Sequence, residues 1–313
     1  LKIQLFNNLL VDLLYLIIGL SLLVTGAEIV IKGSVSFGKK LNISLFAIGV
    51  VIVAGGTSLP ELASSINAVI NNHADLAVGA VVGSNIANLI LVMAATAIIL
   101  PISNVTKNQI NQAWINIGLG VVLILMSFLY FNYLFGIVSM ILLILIMYLQ
   151  FKKGSLDLEE MDKNEYSTLL SIILIVLGII FLIYGSELFV NSAIGIANYY
   201  NISEAVIGLS IIAFGTSLPE LVVGIMSALK RKVDFALGNI LGSNIYNVLG
   251  VLGISSFFGT FSMPEIIAKQ DLFFMLLITF IILGFMFFSK KIGRIYGSIG
   301  LILYACYMYF IFI

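Results

Sequence analysis

The sequence predicts an all-α integral membrane protein, with ten transmembrane helices in two inverted five-helix repeats and discontinuous helices at a central polar site. Three observations carry this expectation. The chain of 313 residues is 61% hydrophobic and 10% charged, with a mean hydropathy of +1.18, whereas soluble domains carry about 25% charged residues. Its apolar runs are long enough to cross about 30 Å of hydrocarbon, which takes ~20 helical residues. Its second half repeats the first at an offset of 159 residues.

The expected spans are 9–31, 43–70, 75–99, 112–130, 133–151, 167–190, 202–228, 234–259, 271–288 and 295–312. The first is too long for a signal-peptide core and lacks a small-residue cleavage site. None alternates polar with apolar residues, so none reads as a barrel strand. Spans 2 and 7 each carry a Gly-rich break with proline, and spans 3 and 8 each carry Gly-Ser-Asn. The stretch 153–166, "KGSLDLEEMDKNEY", is the one long polar connection. The expected organisation is a first five-helix repeat over 1–152, a cytoplasmic linker over 153–166 and a second, inverted repeat over 167–313. The linker is too short to be a regulatory domain.

Lysine and arginine set the orientation. Thirteen of the 15 fall in the loops after spans 1, 3, 5, 7 and 9, and only Lys2 and Lys269 lie on the other side. The positive-inside rule makes the first set cytoplasmic and both termini extracytoplasmic. A multi-pass protein of the plasma (inner) membrane follows. Net charge is zero, which gives no reason to expect a nucleic-acid partner. Cys306 is the only cysteine and His73 the only histidine, so an intrachain disulfide and a soft-metal site are excluded.

The repeat is gapless over a long run. Gly26-Ala27-Glu28 faces Gly185-Ser186-Glu187, and Asn42-Ile43-Ser44 faces Asn201-Ile202-Ser203. Gly56 to Glu61 is identical to Gly215 to Glu220; Gly83-Ser84-Asn85-Ile86 is identical to Gly242-Ser243-Asn244-Ile245, and Asn88 matches Asn247. Five spans per repeat is odd, so the second copy crosses the membrane in the opposite sense. Inverted repeats are characteristic of secondary transporters, whose substrate site lies near the midplane where the repeats meet.

The motif "GTSLPE" has a physical reading of its own. Pro60 lacks an N–H and clashes with the carbonyl of residue 56, so span 2 should break there and free the carbonyls from Ala54 to Thr57. Ser58 followed by Glu61 reads as a capping box for the second half-helix. Pro219, Gly215, Ser217 and Glu220 repeat the arrangement. Freed backbone in hydrocarbon is tolerated where it lines a cavity or is buried in protein. A carboxylate at that depth costs ~2.5–3.5 kcal/mol on insertion scales. Two facing carboxylates must therefore share protons or hold a cation. Carboxylate, carbonyl and hydroxyl oxygens suit Ca²⁺, and they suit Na⁺. Glu28 and Glu187 lie nearer span ends and either pair with a neighbour such as Lys32 or line an ion path. The Gly-Ser-Asn stretches serve close helix packing or ligation.

At these residues the chain resembles the calcium:cation antiporter superfamily and, within it, the bacterial branch of the sodium/calcium exchanger family, whose repeats carry G-T-S-x-P-E followed by G-x-x-x-G-S-N. Both motifs stand in both halves here, and the resemblance covers essentially the whole chain. It implies a secondary active antiporter, not an enzyme, that exchanges Ca²⁺ for Na⁺ by alternating access. Ca²⁺ would leave the cell, driven by the Na⁺ gradient. It implies no cofactor beyond the transported ions, no regulatory domain, and partners limited to Ca²⁺, Na⁺ and the lipid bilayer, with no oligomer required. By the family's pattern Glu61 and Glu220 bind Ca²⁺ with the carbonyls of Thr57 and Thr216. Na⁺ uses the same glutamates, the hydroxyls of Ser58 and Ser217, and the carbonyls of Ala54 and Ala213. Asn239 stands at one corner of the central site, where its repeat mate is Ala80, and Ala77 and Ala236 replace hydroxyls present in some members. These departures leave fewer Na⁺ ligands. An acid in place of Asn239, usual in potassium-dependent relatives, is missing, so K⁺ cotransport is not implied.

The rival reading keeps the fold and couples Ca²⁺, or another divalent cation, to protons. The proton-coupled branch resembles G-N-x-x-E, which this chain does not show. A channel would need a continuous pore, against which the inverted repeat argues. A hydrolase would need a base beside Ser58 or Ser217, and spans offer neither histidine nor an interior lysine.

Overall fold

The computed structural model describes residues 2–153, 166–200, 202 and 215–311. The described residues are helical almost throughout. Its helices are α1 (Lys2–Leu41), α2 (Leu45–Thr57), α3 (Leu59–Ile70), α4 (Ala74–Ile99), α5 (Lys107–Met126), α6 (Tyr133–Lys153), α7 (Thr168–Tyr199), α8 (Leu218–Leu229), α9 (Val233–Ser255), α10 (Ile267–Ser289) and α11 (Arg294–Ile311). Among the described residues seven helices are long and apolar enough to span a membrane, or eight with the bent pair α2–α3 taken as one. Each expected span overlaps a helix, and the seventh is described at residue 202 and from residue 215 onward. Most of the expected linker, 154–165, lies outside the described residues.

Several helices run past their expected ends. α1 continues ten residues beyond Ile31, through Lys32, Lys39 and Lys40. Polar residues end an apolar run without ending a helix. Asn42 ends this one, with φ 53° and the Ile43 N–H on the Gly38 carbonyl at 2.9 Å, the hydrogen bond of a left-handed C-terminal cap. α5 begins five residues before its expected start. Thr106 accepts the Gln109 N–H at 3.4 Å and its own N–H donates to Gln109 Oε1 at 2.8 Å, a capping box ahead of the apolar run.

The helices fall into two groups. Burial covers 94% of the apolar stretch of α9 and 72% of that of α4, but 17% of that of α1 and 28% of that of α7. α4 and α9 are therefore the core, and α1 and α7 lie at its edge with broad apolar faces, such as Ile17 and Leu169, turned outward. Such faces suit lipid. A large apolar cluster joins α4, α5, α9, α10 and parts of α6 and α11. A smaller one joins Leu23, Ala27 and Val30 of α1 to Leu182 of α7, Ala47 and Val53 of α2 and Val223 of α8.

α1 and α7 meet along a seam of small residues seven apart. A Cβ on Gly19 would stand 2.9 Å from the Gly185 carbonyl oxygen, one on Gly26 2.8 Å from that of Gly178, and one on Gly33 2.8 Å from that of Ser171. Without side chains at these glycines the two backbones touch. Two short antiparallel ribbons, unanticipated from the sequence, tie the halves together. Ile102–Ser103 pairs with Lys291–Ile292, and Tyr130–Phe131 pairs with Phe261–Ser262.

Candidate functional site

The proline break of the first half forms as the sequence requires, and among the described residues the second half takes the same backbone turn at its serine. Ser58 leaves the helix with φ −83° and ψ 5°, Pro60 sits in the first turn of α3, and α2 and α3 bend by 42°. Ser217 takes φ −86° and ψ 3°, with Pro219 in the first turn of α8. Each glutamate thus lies in the first turn of a half-helix, where unpaired N–H groups favour negative charge. Glu61 and Glu220 are each 1% exposed.

The two turns face each other across α9 and α4. Thr57 Oγ1 donates to Asn239 Oδ1 at 3.3 Å and lies 3.4 Å from Ser243 Oγ. Ser243 Oγ donates to Glu220 Oε1 at 3.4 Å, and Ser217 Oγ donates to Ser84 Oγ at 3.4 Å. The Thr216 hydroxyl lies against the Glu61 carboxylate and the Thr57 hydroxyl against that of Glu220. Each threonine therefore reaches the glutamate of the other repeat. Glu61 Oε2, Glu220 Oε2, Ser58 Oγ and Asn239 Nδ2 are buried with no hydrogen-bond partner. A buried polar atom left unpaired costs about 1–3 kcal/mol, so this cluster is a site built for something further. Its donor set is two carboxylates with hydroxyl and amide oxygens, the chemistry of a hard cation. Among the described residues no three His, Cys, Asp or Glu side chains come together. The charge at the site therefore rests on the glutamate pair.

Two sequence expectations need correction. Ser58 and Ser217 occupy the N-cap positions without side-chain capping bonds. Pro60 and Pro219 supply no N–H in the first turn, and the serine backbone is not in the extended conformation that capping uses. The hydroxyls do other things: Ser58 Oγ is buried without a hydrogen-bond partner and Ser217 Oγ donates to Ser84. The carbonyl of Ala54 is also not freed. Ala54–Thr57 remains a helical turn, and the Ala54 oxygen accepts the Ser58 N–H at 3.1 Å and Thr57 Oγ1 at 3.4 Å. The break falls after this turn because proline removes the amide four residues beyond Gly56, not the one that serves Ala54.

Of the other expected residues, Thr57, Ser58, Glu61, Thr216, Ser217, Glu220 and Asn239 converge here, while Ala213 lies outside the described residues. Ala77 and Ala236 are fully packed. Glu28 is not at the site. It pairs with Lys32 at 2.9 Å and with Lys230, at the end of α8, at 3.1 Å. Glu187 is exposed on α7 and His73 is exposed before α4. The Gly-Ser-Asn stretches divide their work. Ser84 and Ser243 face the site, Gly242 packs on Val50 and Ala54, and the asparagines join the repeats. The sequence left Ser84 and Ser243 between packing and ligation, and the place of Ser243 four residues after Asn239 on one helix face was a readable signal for the site.

A family model described as sodium/calcium exchanger protein matches residues 11–152 and 170–313. The chain is 35% identical to an uncharacterized membrane protein of Methanocaldococcus jannaschii, over 93% of this chain and 94% of that protein. It is 30% identical to the sodium/calcium exchanger MaX1 of Methanosarcina acetivorans, over 96% of this chain and 99% of that one. A solved structure of the sodium-calcium exchanger NCX_Mj superposes with a TM-score of 0.85 at 33% identity, covering 95% of this chain and 97% of that one.

Proposed function

The chain belongs to the sodium/calcium exchanger protein family, and on that premise we propose that it is a secondary active antiporter that exchanges Ca²⁺ for Na⁺ by alternating access. One observation carries this reading at the level of chemistry. Two buried glutamates, each with an unpartnered oxygen, stand in the first turns of two half-helices among serine, threonine and asparagine oxygens.

A single Ca²⁺ neutralises both carboxylates. Na⁺ ions use the same carboxylates with the hydroxyls of Ser58 and Ser217, so the two cargoes compete. Competition for shared ligands is what couples them: one leaves only as the other arrives. Glu61, Glu220 and the carbonyls of Thr57 and Thr216 are the Ca²⁺ ligands of this reading, and Asn239 contributes its amide oxygen. Ala80, its repeat mate, contributes none. Ala213 offers its carbonyl oxygen to Na⁺ in this reading, whereas that of Ala54 already accepts the Ser58 N–H and the Thr57 hydroxyl. α1 and α7, held to each other by their glycine seam and set apart from the main core, move as one unit across α4 and α9. Lysine and arginine placement supports an inner-membrane protein with extracytoplasmic termini, and the gradient then drives Ca²⁺ outward. The reading requires no second subunit and no resident cofactor.

The test is ⁴⁵Ca²⁺ uptake by proteoliposomes loaded with Na⁺, compared with K⁺-loaded vesicles and with vesicles bearing only a pH gradient. Uptake that requires internal Na⁺ supports the exchanger. Uptake that follows the pH gradient and ignores Na⁺ replaces Na⁺ with protons as the coupling ion.

A further inference from the structure

Tyr246 stands beside the site without belonging to its ligand set. It lies on α9 three residues after Ser243 and seven after Asn239, on the same helix face. Its hydroxyl donates to the Val51 carbonyl oxygen at 2.8 Å. Val51 belongs to Gly49–Val53, a π-helical stretch of α2 immediately before the turn Ala54–Thr57. Such widened turns depart from the regular α-helical ladder and recur at functional sites. The ring fills the space beside Gly55, where a Cβ would stand 2.9 Å from its Cζ and 3.1 Å from its Oη. Glycine thus lets the ring lie on bare backbone, and the hydroxyl fixes the carbonyl one turn earlier. The contact is one-sided: 159 residues away, Tyr246 and Gly55 correspond to Ala87 and Phe214, and alanine has no hydroxyl to give.

We propose that Tyr246 is a positioning residue for the ion site, holding the Gly55–Thr57 turn, and through it Thr57 and Glu61, in the geometry that binds Ca²⁺. This rests on the exchanger reading. Tyr246 touches no ion, so its loss weakens binding without removing a ligand. One hydrogen bond corresponds to about fivefold in affinity.

The test measures Ca²⁺ binding to the purified full-length protein by calorimetric titration, and Na⁺-driven ⁴⁵Ca²⁺ uptake in proteoliposomes against Ca²⁺ concentration. Tyr246→Phe keeps the ring over Gly55 and removes only the hydroxyl. The expected result is a Ca²⁺ Kd and KM raised about fivefold, with maximal rate and thermal unfolding midpoint near those of the unsubstituted protein. Gly55→Ala pushes on the ring and is expected to shift affinity in the same direction. The double variant should bind no more weakly than the worse single, because both act through one contact. Tyr246→Phe with unchanged Kd and KM overturns the proposal, as does a lowered maximal rate at unchanged KM. If Gly55→Ala does not fold, Tyr246→Phe alone decides. If the unsubstituted protein binds Ca²⁺ without exchanging it for Na⁺, the exchanger reading falls and the titration still judges Tyr246. If it binds no Ca²⁺, both fall.

Discussion

The Asn88 side-chain amide donates to Asn244 Oδ1 at 3.0 Å, and the Asn247 amide donates to Asn85 Oδ1 at 3.0 Å. Each bond is the other's counterpart at the repeat offset. Asn85 and Asn244 also exchange amide-to-carbonyl contacts at 3.4 Å in both directions. Contacts that are reciprocal between equivalent residues define a two-fold axis. Here the axis passes between α4 and α9, beside the serines that face the glutamates. The asparagine clasp therefore fixes the two repeats beside the glutamate cluster.

Breaking the clasp should cost stability more than chemistry. Asn88→Ala leaves the buried Asn244 oxygen without its donor, an expected loss of about 1–3 kcal/mol. Asn88→Ala/Asn244→Ala should cost less than the sum of the singles, because they share one bond. Thermal unfolding of the four members of this cycle in detergent checks it. Strict additivity would mean the bond contributes nothing.

Glu61→Gln and Glu220→Gln preserve shape and remove charge. Ca²⁺ would then meet one carboxylate where its neutralisation needs two, and Na⁺-driven ⁴⁵Ca²⁺ uptake should fall at least about 100-fold, the change expected for the loss of ~3 kcal/mol of binding. Folding should be unimpaired or improved, since each substitution removes a fully buried carboxylate, which is costly at that depth. Either variant transporting at half the original rate would remove the paired-carboxylate site from consideration.

Much of this site was legible because its residues are local and duplicated. Glu61 and Glu220 stand out as acids in apolar spans, and the six-residue identity around them tells that the setting is shared. What was not legible depends on where side chains turn. Ser58 with Glu61 reads as a capping box, yet proline two residues on leaves one of the first-turn donors missing and the hydroxyl points away. The long reach of α1 and α7 was hidden because Lys32 and Asn191 interrupt hydropathy without interrupting helix geometry. Tyr246 reaches Val51 over 195 residues, a pairing no local pattern announces. The two ribbons are likewise made by residues more than a hundred positions apart, which periodicity cannot register.

Glu28 and Glu187 are repeat equivalents with different surroundings, and they should behave differently. Glu28 bridges α1 to Lys230 at the end of α8, whereas Glu187 is exposed. Glu28→Gln should change the exchange rate up to about fivefold, the range of a half-exposed ion pair worth up to ~1 kcal/mol, and the change should shrink as ionic strength rises. Glu187→Gln should leave the rate and its salt dependence alone. Initial rates at 20 mM and 500 mM choline chloride, about a fivefold range in screening length, distinguish the two. Equal effects would dissolve the distinction.

The separation of α1 and α7 from the core makes a claim about motion that crosslinking can decide. A Cβ on Gly38 of α1 would press against the Ile48 side chain of α2, so Gly38→Cys with Ile48→Cys joins the edge pair to the core. Tyr130→Cys with Ser262→Cys joins two residues already opposite each other in a ribbon, within the part that stays fixed. Both pairs are built on Cys306→Ser, because the native cysteine is exposed. Oxidation of the first pair should stop Na⁺-driven uptake and reduction should restore it, since a moving α1 cannot pass a covalent tether. Oxidation of the second should leave uptake unchanged, since the ribbon carries no relative motion. If the first crosslink forms fully and transport continues, α1 does not slide on α2, and the two carboxylates must be reached from each side of the membrane by movement elsewhere.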